Sequence, residues 1–171
     1  MIERNDIVFT KEDYKLWLND KYNIELNKRM IEYFPFLLPR NRWTGLVSSS
    51  YDYSYNEMRA MPDGWAIAFG YEMLCELREE LFAHGFLYDY RIIDIKEKYG
   101  LLRWYDSGIT ENGYEIIRKY ERLSYETCIY CGESVTHETY GWINYVCGKC
   151  FNEHELSGHL IGEGEEDEED K

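Results

Sequence analysis

Cys128, Cys131, Cys147 and Cys150 stand in the pattern C-x2-C-x15-C-x2-C, within the spacing range of four-cysteine zinc sites. Each C-x-x-C pair makes a tight turn that aims two thiolates at one point. Two such turns on a short hairpin supply the four soft ligands of a closed tetrahedral site. Gly132 follows the first pair and Gly148 lies inside the second. One structural zinc ion is the expected cofactor, and a shell of four thiolates leaves no position open to activate water. A thioredoxin-like redox pair fits less well, because it needs one C-x-x-C where a strand passes into a helix. No such switch is expected at either pair. Disulfides would suit a secreted chain, but Met1 to Asp6 shows neither the basic nor the apolar region of a signal peptide. His137, His154 and His159 are ligands in type, yet four cysteines already complete the shell.

Composition bounds what else the chain can do. It has 171 residues, 44% of them hydrophobic and 17% aromatic, enough for one domain with a core and a small appendage. The 17 tyrosines suit half-buried packing and contact surfaces alike. The formal net charge is −14, and the segment 163–171 holds seven acids against Lys171. An acidic chain lacks the counterion-release term that drives proteins onto phosphate backbones, unless a local basic patch supplies it. No generic DNA binding is expected, and no apolar run is long enough to span a membrane. A reducing cytoplasm is the expected compartment.

The elements that must position the cysteines can be read along the chain. Thr10 is expected to cap a short helix with Leu16, Trp17 and Tyr14 inward. Asn23 would cap a second helix through Tyr33, stopped by Pro35. The polar, aromatic run 48–56 reads as a surface loop within an insertion at 46–58. A long helix should start at Asp63 as N-cap, turn Ile67, Tyr71, Leu74, Leu77, Leu81 and Phe82 inward, and end at Gly85. Tyr88 to Ile95 and Leu101 to Tyr105 read as two strands of a hairpin, with ion pairs expected among Lys96, Glu97, Lys98 and Arg103. Thr110 begins a last helix, which leads straight into Cys128. Tyr140, Trp142, Ile143, Tyr145 and Val146 would form the returning strand and mini-core of the ribbon. Cys75 reads as a small buried hydrophobe. The expected fold class is α+β: helices on a short antiparallel hairpin, then a C-terminal zinc ribbon. The expected units are a body at 1–125, the ribbon at 126–161 and a disordered acidic tail at 162–171.

Asp63-Gly64-Trp65, Leu74-Cys75, Ile95-Lys96-Glu97-Lys98-Tyr99-Gly100, Leu102-Arg103-Trp104-Tyr105 and the two cysteine pairs around Gly141-Trp142 follow one another in that order. As an ordered set over residues 26–151 they resemble small uncharacterised proteins of tailed bacteriophages and prophages. The resemblance implies a phage-encoded accessory protein in the host cytoplasm and carries no activity with it.

No phosphate loop, metal-hydrolase cluster, nucleophile elbow or recognisable carboxylate pair occurs. The expected function is therefore non-enzymatic: binding a host protein with a basic surface, with inhibition of a host nucleic-acid enzyme or defence system as the consequence. Tyr51, Tyr53, Tyr55, Tyr140 and Trp142 are the candidate aromatic anchors for that partner. The alternative is a transcription- or nucleic-acid-associated zinc-ribbon module, which a basic patch on the folded surface would favour.

Overall fold

The computed structural model describes residues 7–162. Within them the fold mixes helices with two small antiparallel sheets. The acidic run 163–171 lies outside the described residues.

Helix α1 (Lys11–Asn19) opens with a reciprocal cap: Thr10 accepts from the Asp13 amide, and Asp13 accepts from the Thr10 amide. Tyr14 and Trp17, three residues apart, are buried, whereas Leu16 faces solvent. One turn of helix brings the first two to the same side and carries Leu16 off it. Asn23 caps α2 (Ile24–Tyr33) as its sequence predicts, and Met30, Ile31 and Phe34 enter the core. The insertion at 46–58 is more deeply integrated than a surface loop. Asn56 and Met58 at its end, and Met61 just beyond it, are fully buried. Asn56 donates to Asn27 Oδ1 at 2.8 Å, the same oxygen that accepts the Trp17 indole N–H at 2.9 Å. Asn27 in turn donates to the Lys21 carbonyl, and Asn56 accepts from the Met58 amide. This buried network ties α1, α2 and the 56–61 segment together with every polar partner matched. Asn27→Ala would strand two buried donors, at a cost of about 2–4 kcal/mol. A lowered urea midpoint together with a red-shifted Trp17 emission would report it.

Asp63 is the first helical residue rather than the N-cap, a place taken by Pro62, and its carboxylate pairs with Lys21 at 2.6 Å. Helix α3 (Asp63–Trp65) passes through a π-helical stretch (Ala66–Gly70) into α4 (Tyr71–Ala83). Tyr14 donates its hydroxyl to the Ala66 carbonyl at 2.6 Å within that stretch. Trp65, Leu74, Leu77 and Leu81 are buried, but Ile67 and Phe82 are exposed. The wider turn of the π stretch rotates the register between Ile67 and the residues that follow. Gly85 ends the helix with φ +74°, as expected.

Strand β1 (Ile92–Lys98) begins later and runs further than the sequence suggests, and pairs with β2 (Leu101–Asp106). Tyr99 and Gly100 both have positive φ, so the two-residue connection is a type I′ turn. Tyr90 precedes the strand, buried in the core, and accepts from the Trp104 indole while donating to Asp106. The register sets Lys96 opposite Arg103 and Glu97 opposite Leu102. The expected ion pairs across the hairpin therefore do not form, and Lys96 instead lies 3.7 Å from Asp94. Helix α5 (Glu111–Glu126) covers the hairpin's edge: Ser124 and Glu121 accept from the Leu102 and Trp104 amides. A two-stranded sheet is marginal alone, and here the helix takes the place of a third strand.

The second sheet has order β4 (Tyr145–Val146), β3 (His137–Thr139), β5 (Gly158–Leu160). Its outer strand β5 comes from a stretch that carries no alternating signal in the sequence. Helix α6 (Gly148–Glu153) lies between β4 and β5. Val146 is fully buried, but Tyr140 and Trp142 are not part of a mini-core: they stand 63% and 75% exposed. The three-strand sheet is too small to enclose them, and its interior is made of Val146 with Cys128, Cys147 and Cys150.

Candidate metal centre

The first cysteine turn is set by backbone. The Cys128 amide donates to the Glu133 carbonyl at 2.7 Å, and the Gly132 amide donates to the Cys128 carbonyl at 2.9 Å. Gly132 takes φ +84° to close it. The second pair lies where β4 passes into α6, so a strand-to-helix switch does frame it, contrary to the sequence expectation. Cys147 is the N-cap of that helix, and its sulfur accepts from the Cys150 amide at 3.4 Å.

The two turns bring all four sulfur atoms within 4.8 Å of one another. Cys131 Sγ and Cys147 Sγ are 3.6 Å apart, and no disulfide forms among the cysteines. A tetrahedron with metal–sulfur bonds of about 2.3 Å has edges of about 3.8 Å, so the cage has the dimensions for a single ion. Burial pushes the Cys131 and Cys150 thiols up, and the adjoining sulfurs add to this at Cys150. Burial also opposes ionisation of Cys147, but the Cys150 amide and the neighbouring thiols outweigh it and bring that thiol down. Four sulfur donors this close together suit a soft metal ion, whose charge would favour the thiolate form of each. Cys128, Cys131, Cys147 and Cys150 are thus a cluster that could hold one, as their spacing predicts.

The histidines stay out of this cluster. His137 stacks on Phe151 at 4.4 Å, His154 stacks on Tyr130 at 4.3 Å, and His159 lies 3.6 Å from Glu138. Cys75 is half-buried in α4, away from the other four, and burial raises its thiol.

The body grips the cluster through the residues of the ordered motifs. Gly64 donates its amide to the Ile129 carbonyl at 2.9 Å, and the buried Trp65 indole donates to the Thr127 carbonyl at 3.1 Å. A β-carbon on Gly64 would lie 2.0 Å from the Cys128 carbonyl oxygen. Gly100, at the hairpin tip, nests against the Ile143 carbonyl and the Tyr145 ring. Asp-Gly-Trp and Tyr-Gly thereby pack directly against the cysteine-bearing segment.

Comparisons of the chain with protein-family models, with curated proteins and with solved structures gave no match.

The candidate anchors separate into two groups. Tyr51, Tyr53 and Tyr55 pack on one another, with Tyr51 centred 5.0 Å from Tyr53 and 5.2 Å from Tyr55. Arg59 lies over Tyr55 and Lys28 over Tyr53, so all three rings are half-buried. Tyr140 and Trp142 project from the turn between β3 and β4. The Trp142 indole donates to Glu97 Oε2 at 3.1 Å, and Glu97 Oε1 accepts from the Gly100 amide. Glu97, Tyr99, Trp142 and Ile143 line a pocket of about 430 Å³ where hairpin meets ribbon. Sequence reasoning missed Glu97 and Tyr99 as parts of this surface. The positive-φ Tyr-Gly turn was a signal for an exposed ring, but its distance from Trp142 was not in the sequence. Among the described residues no helix is long and apolar enough to cross a membrane.

Proposed function

We propose that the chain is a non-enzymatic, phage-type accessory protein whose four cysteines hold one structural zinc ion and whose ribbon binds a basic protein of the host cytoplasm. Zinc suits the donor set, since four thiolates in a compact cage select a borderline-soft ion without demanding a special geometry. Bound there, the ion would fix the ribbon and leave no coordination site for a substrate.

The observation that carries the partner reading is the exposed Trp142, held upright by Glu97 across the junction of body and ribbon. Tyr99 stands beside it, 71% exposed. Lys98 lies over the Tyr99 ring at 5.9 Å, so the Trp142 face beside the Glu97 carboxylate is the one that suits a lysine or arginine side chain of a partner, through cation–π contact and charge. The net charge of −14 would steer such a partner inward. Inhibition or modification of a host nucleic-acid enzyme or defence system is the consequence this chemistry favours, because those proteins present basic surfaces.

Affinity purification from bacterial cells, followed by binding kinetics on the recovered partner, tests the proposal. Trp142→Ala should leave the melting temperature within about 2 °C and weaken the partner by roughly tenfold or more, chiefly through faster dissociation. Raised salt should slow association. Binding indifferent to salt, and to substitution of Trp142 and Tyr99, would refute the proposal.

The ribbon itself does not support the nucleic-acid alternative. Between 126 and 161 its one Lys or Arg is Lys149.

A further inference from the structure

The arginines of this acidic chain are unevenly placed. Arg40, Arg42, Arg59 and Arg91 gather about the loop that follows Pro39. Arg40 donates Nη1 to the Gly45 carbonyl at 3.0 Å. The Arg91 guanidinium packs on the same glycine, so closely that a β-carbon there would lie 2.1 Å from its Nη1. Arg40 and Arg59 line one pocket of about 430 Å³ with Thr44, Ser48 and Glu57. None of the four arginines makes an ion pair with a described residue. Glu57 is the one acid lining the pocket. Burial pushes its carboxyl up to about 7, against the pull of Arg59 and with the push of Asp94. Near neutral pH it therefore offsets only part of the arginine charge.

Trp43 follows Arg42 in the same loop and stands 86% exposed. A hydrogen-bonded turn holds it out. Asn41 Oδ1 accepts from the Trp43 and Thr44 amides at 2.9 and 3.0 Å, and the Asn41 and Gly45 amides close the loop onto Leu46 and Asn41 carbonyls. Converging guanidinium groups repel one another and gain from a shared anion. A large exposed aromatic ring on a hydrogen-bonded turn of the same loop matches the pairing of stacking platform and phosphate contacts used for single strands.

We propose that the 40–48 loop, with Arg59 and Arg91, is a contact site for single-stranded nucleic acid, in which Trp43 stacks on a base and the arginines take the flanking phosphates. A flexible strand can follow one local patch, whereas a stiff duplex must face the whole acidic surface. An acidic protein segment would use the arginines but has no base to stack on the ring. The site is separate from the ribbon surface, and neither reading depends on the other.

The test is fluorescence anisotropy of the full chain with a labelled oligothymidylate of about twenty nucleotides, long enough for one such site. Binding at low salt should be tighter than about 10 μM, with log affinity falling against log salt at a slope of about −2 to −3 for three or four phosphates. Trp43→Ala should weaken binding roughly tenfold and abolish quenching of tryptophan emission by the strand, and Arg42→Glu should weaken binding and flatten the slope. Both side chains are exposed, and an unchanged circular dichroism spectrum verifies the fold of each variant. Trp142→Ala should bind and quench as the wild type does. So should Arg122→Ala, in the groove where Glu121 and Glu126 accompany Arg103 and Arg118. No binding at low salt, wild-type affinity in the Trp43 and Arg42 variants, or quenching lost with Trp142 instead of Trp43 would overturn the proposal. Displacement by polyglutamate at equal charge concentration would overturn it too, and would assign the loop to an acidic protein.

Discussion

Replacing Cys131 or Cys147 by serine is expected to bring zinc from about one equivalent to less than half, and to release the ribbon from the body. A structural zinc site contributes about 10–16 kcal/mol of apparent folding free energy in zinc-finger peptides at neutral pH. Little else is available to replace it here. The ribbon's interior is one valine and three cysteines, and its sheet has strands of two and three residues. The loss should not stop at residue 126. Trp65 depends on the Thr127 carbonyl, Gly64 on the Ile129 carbonyl, and Trp142 on Glu97. The body should therefore stay helical by circular dichroism but unfold at a lower urea concentration, with Trp65 emission shifted to the red. Treatment of the wild type with a strong chelator should reproduce each change. Elemental analysis of wild-type protein prepared without chelator reads the metal directly, and less than half an equivalent of zinc would sink the assignment. Serine variants that unfold at the wild-type midpoint would show that the cluster is not structural.

Gly64→Ala should be the most damaging single substitution in the body that adds one carbon. The new β-carbon would stand 2.0 Å from the Cys128 carbonyl oxygen and 2.6 Å from the Ile129 carbonyl carbon. Both are backbone atoms inside the first cysteine turn and cannot rotate away. Either the start of α3 or the turn must shift, which breaks the Gly64 amide bond to Ile129 and pulls the Trp65 indole from Thr127. We expect a loss of about 3–5 kcal/mol, a fall in melting temperature of about 10 °C or more for a chain of this size. Helix propensity acts in the opposite direction, since alanine is favoured over glycine by about 1 kcal/mol. A destabilised variant therefore isolates the packing effect. Gly148→Ala is the control: its β-carbon would meet the His137 ring and the Thr136 hydroxyl at 3.6 Å, ordinary contact. It should melt within about 2 °C of the wild type. Thermal unfolding followed by circular dichroism decides between the outcomes, and a Gly64→Ala protein as stable as the control would refute the close-approach argument.

The amino-acid sequence by itself determined the cluster and most of the helices. Two C-x-x-C turns separated by fifteen residues can converge whatever surrounds them, because each turn is made by its own backbone. Thr10, Asn23 and Thr110 mark helix starts because a cap is a local bond spanning three residues. The hairpin likewise follows from the Tyr99-Gly100 turn, although its strands are displaced from the hydrophobic run that suggested them. What the sequence could not decide was which of several aromatic residues would be covered. Trp65 and Trp142 each donate an indole hydrogen bond to a distant segment, yet one is buried and the other three-quarters exposed. The difference lies in what is packed around each, which is a property of contacts 45 to 62 residues apart in the chain. Asn56 and Met58 looked like the end of a polar loop until Asn27 and Met30 were placed beside them. The arginine group was equally hidden. Arg40, Arg42 and Trp43 are adjacent in the sequence, but Arg59 and Arg91 reach the same loop only because the 56–61 segment and the start of the hairpin fold against it. Net charge sums over the whole chain and conceals such a patch; only the tertiary structure shows where the charges of one sign meet.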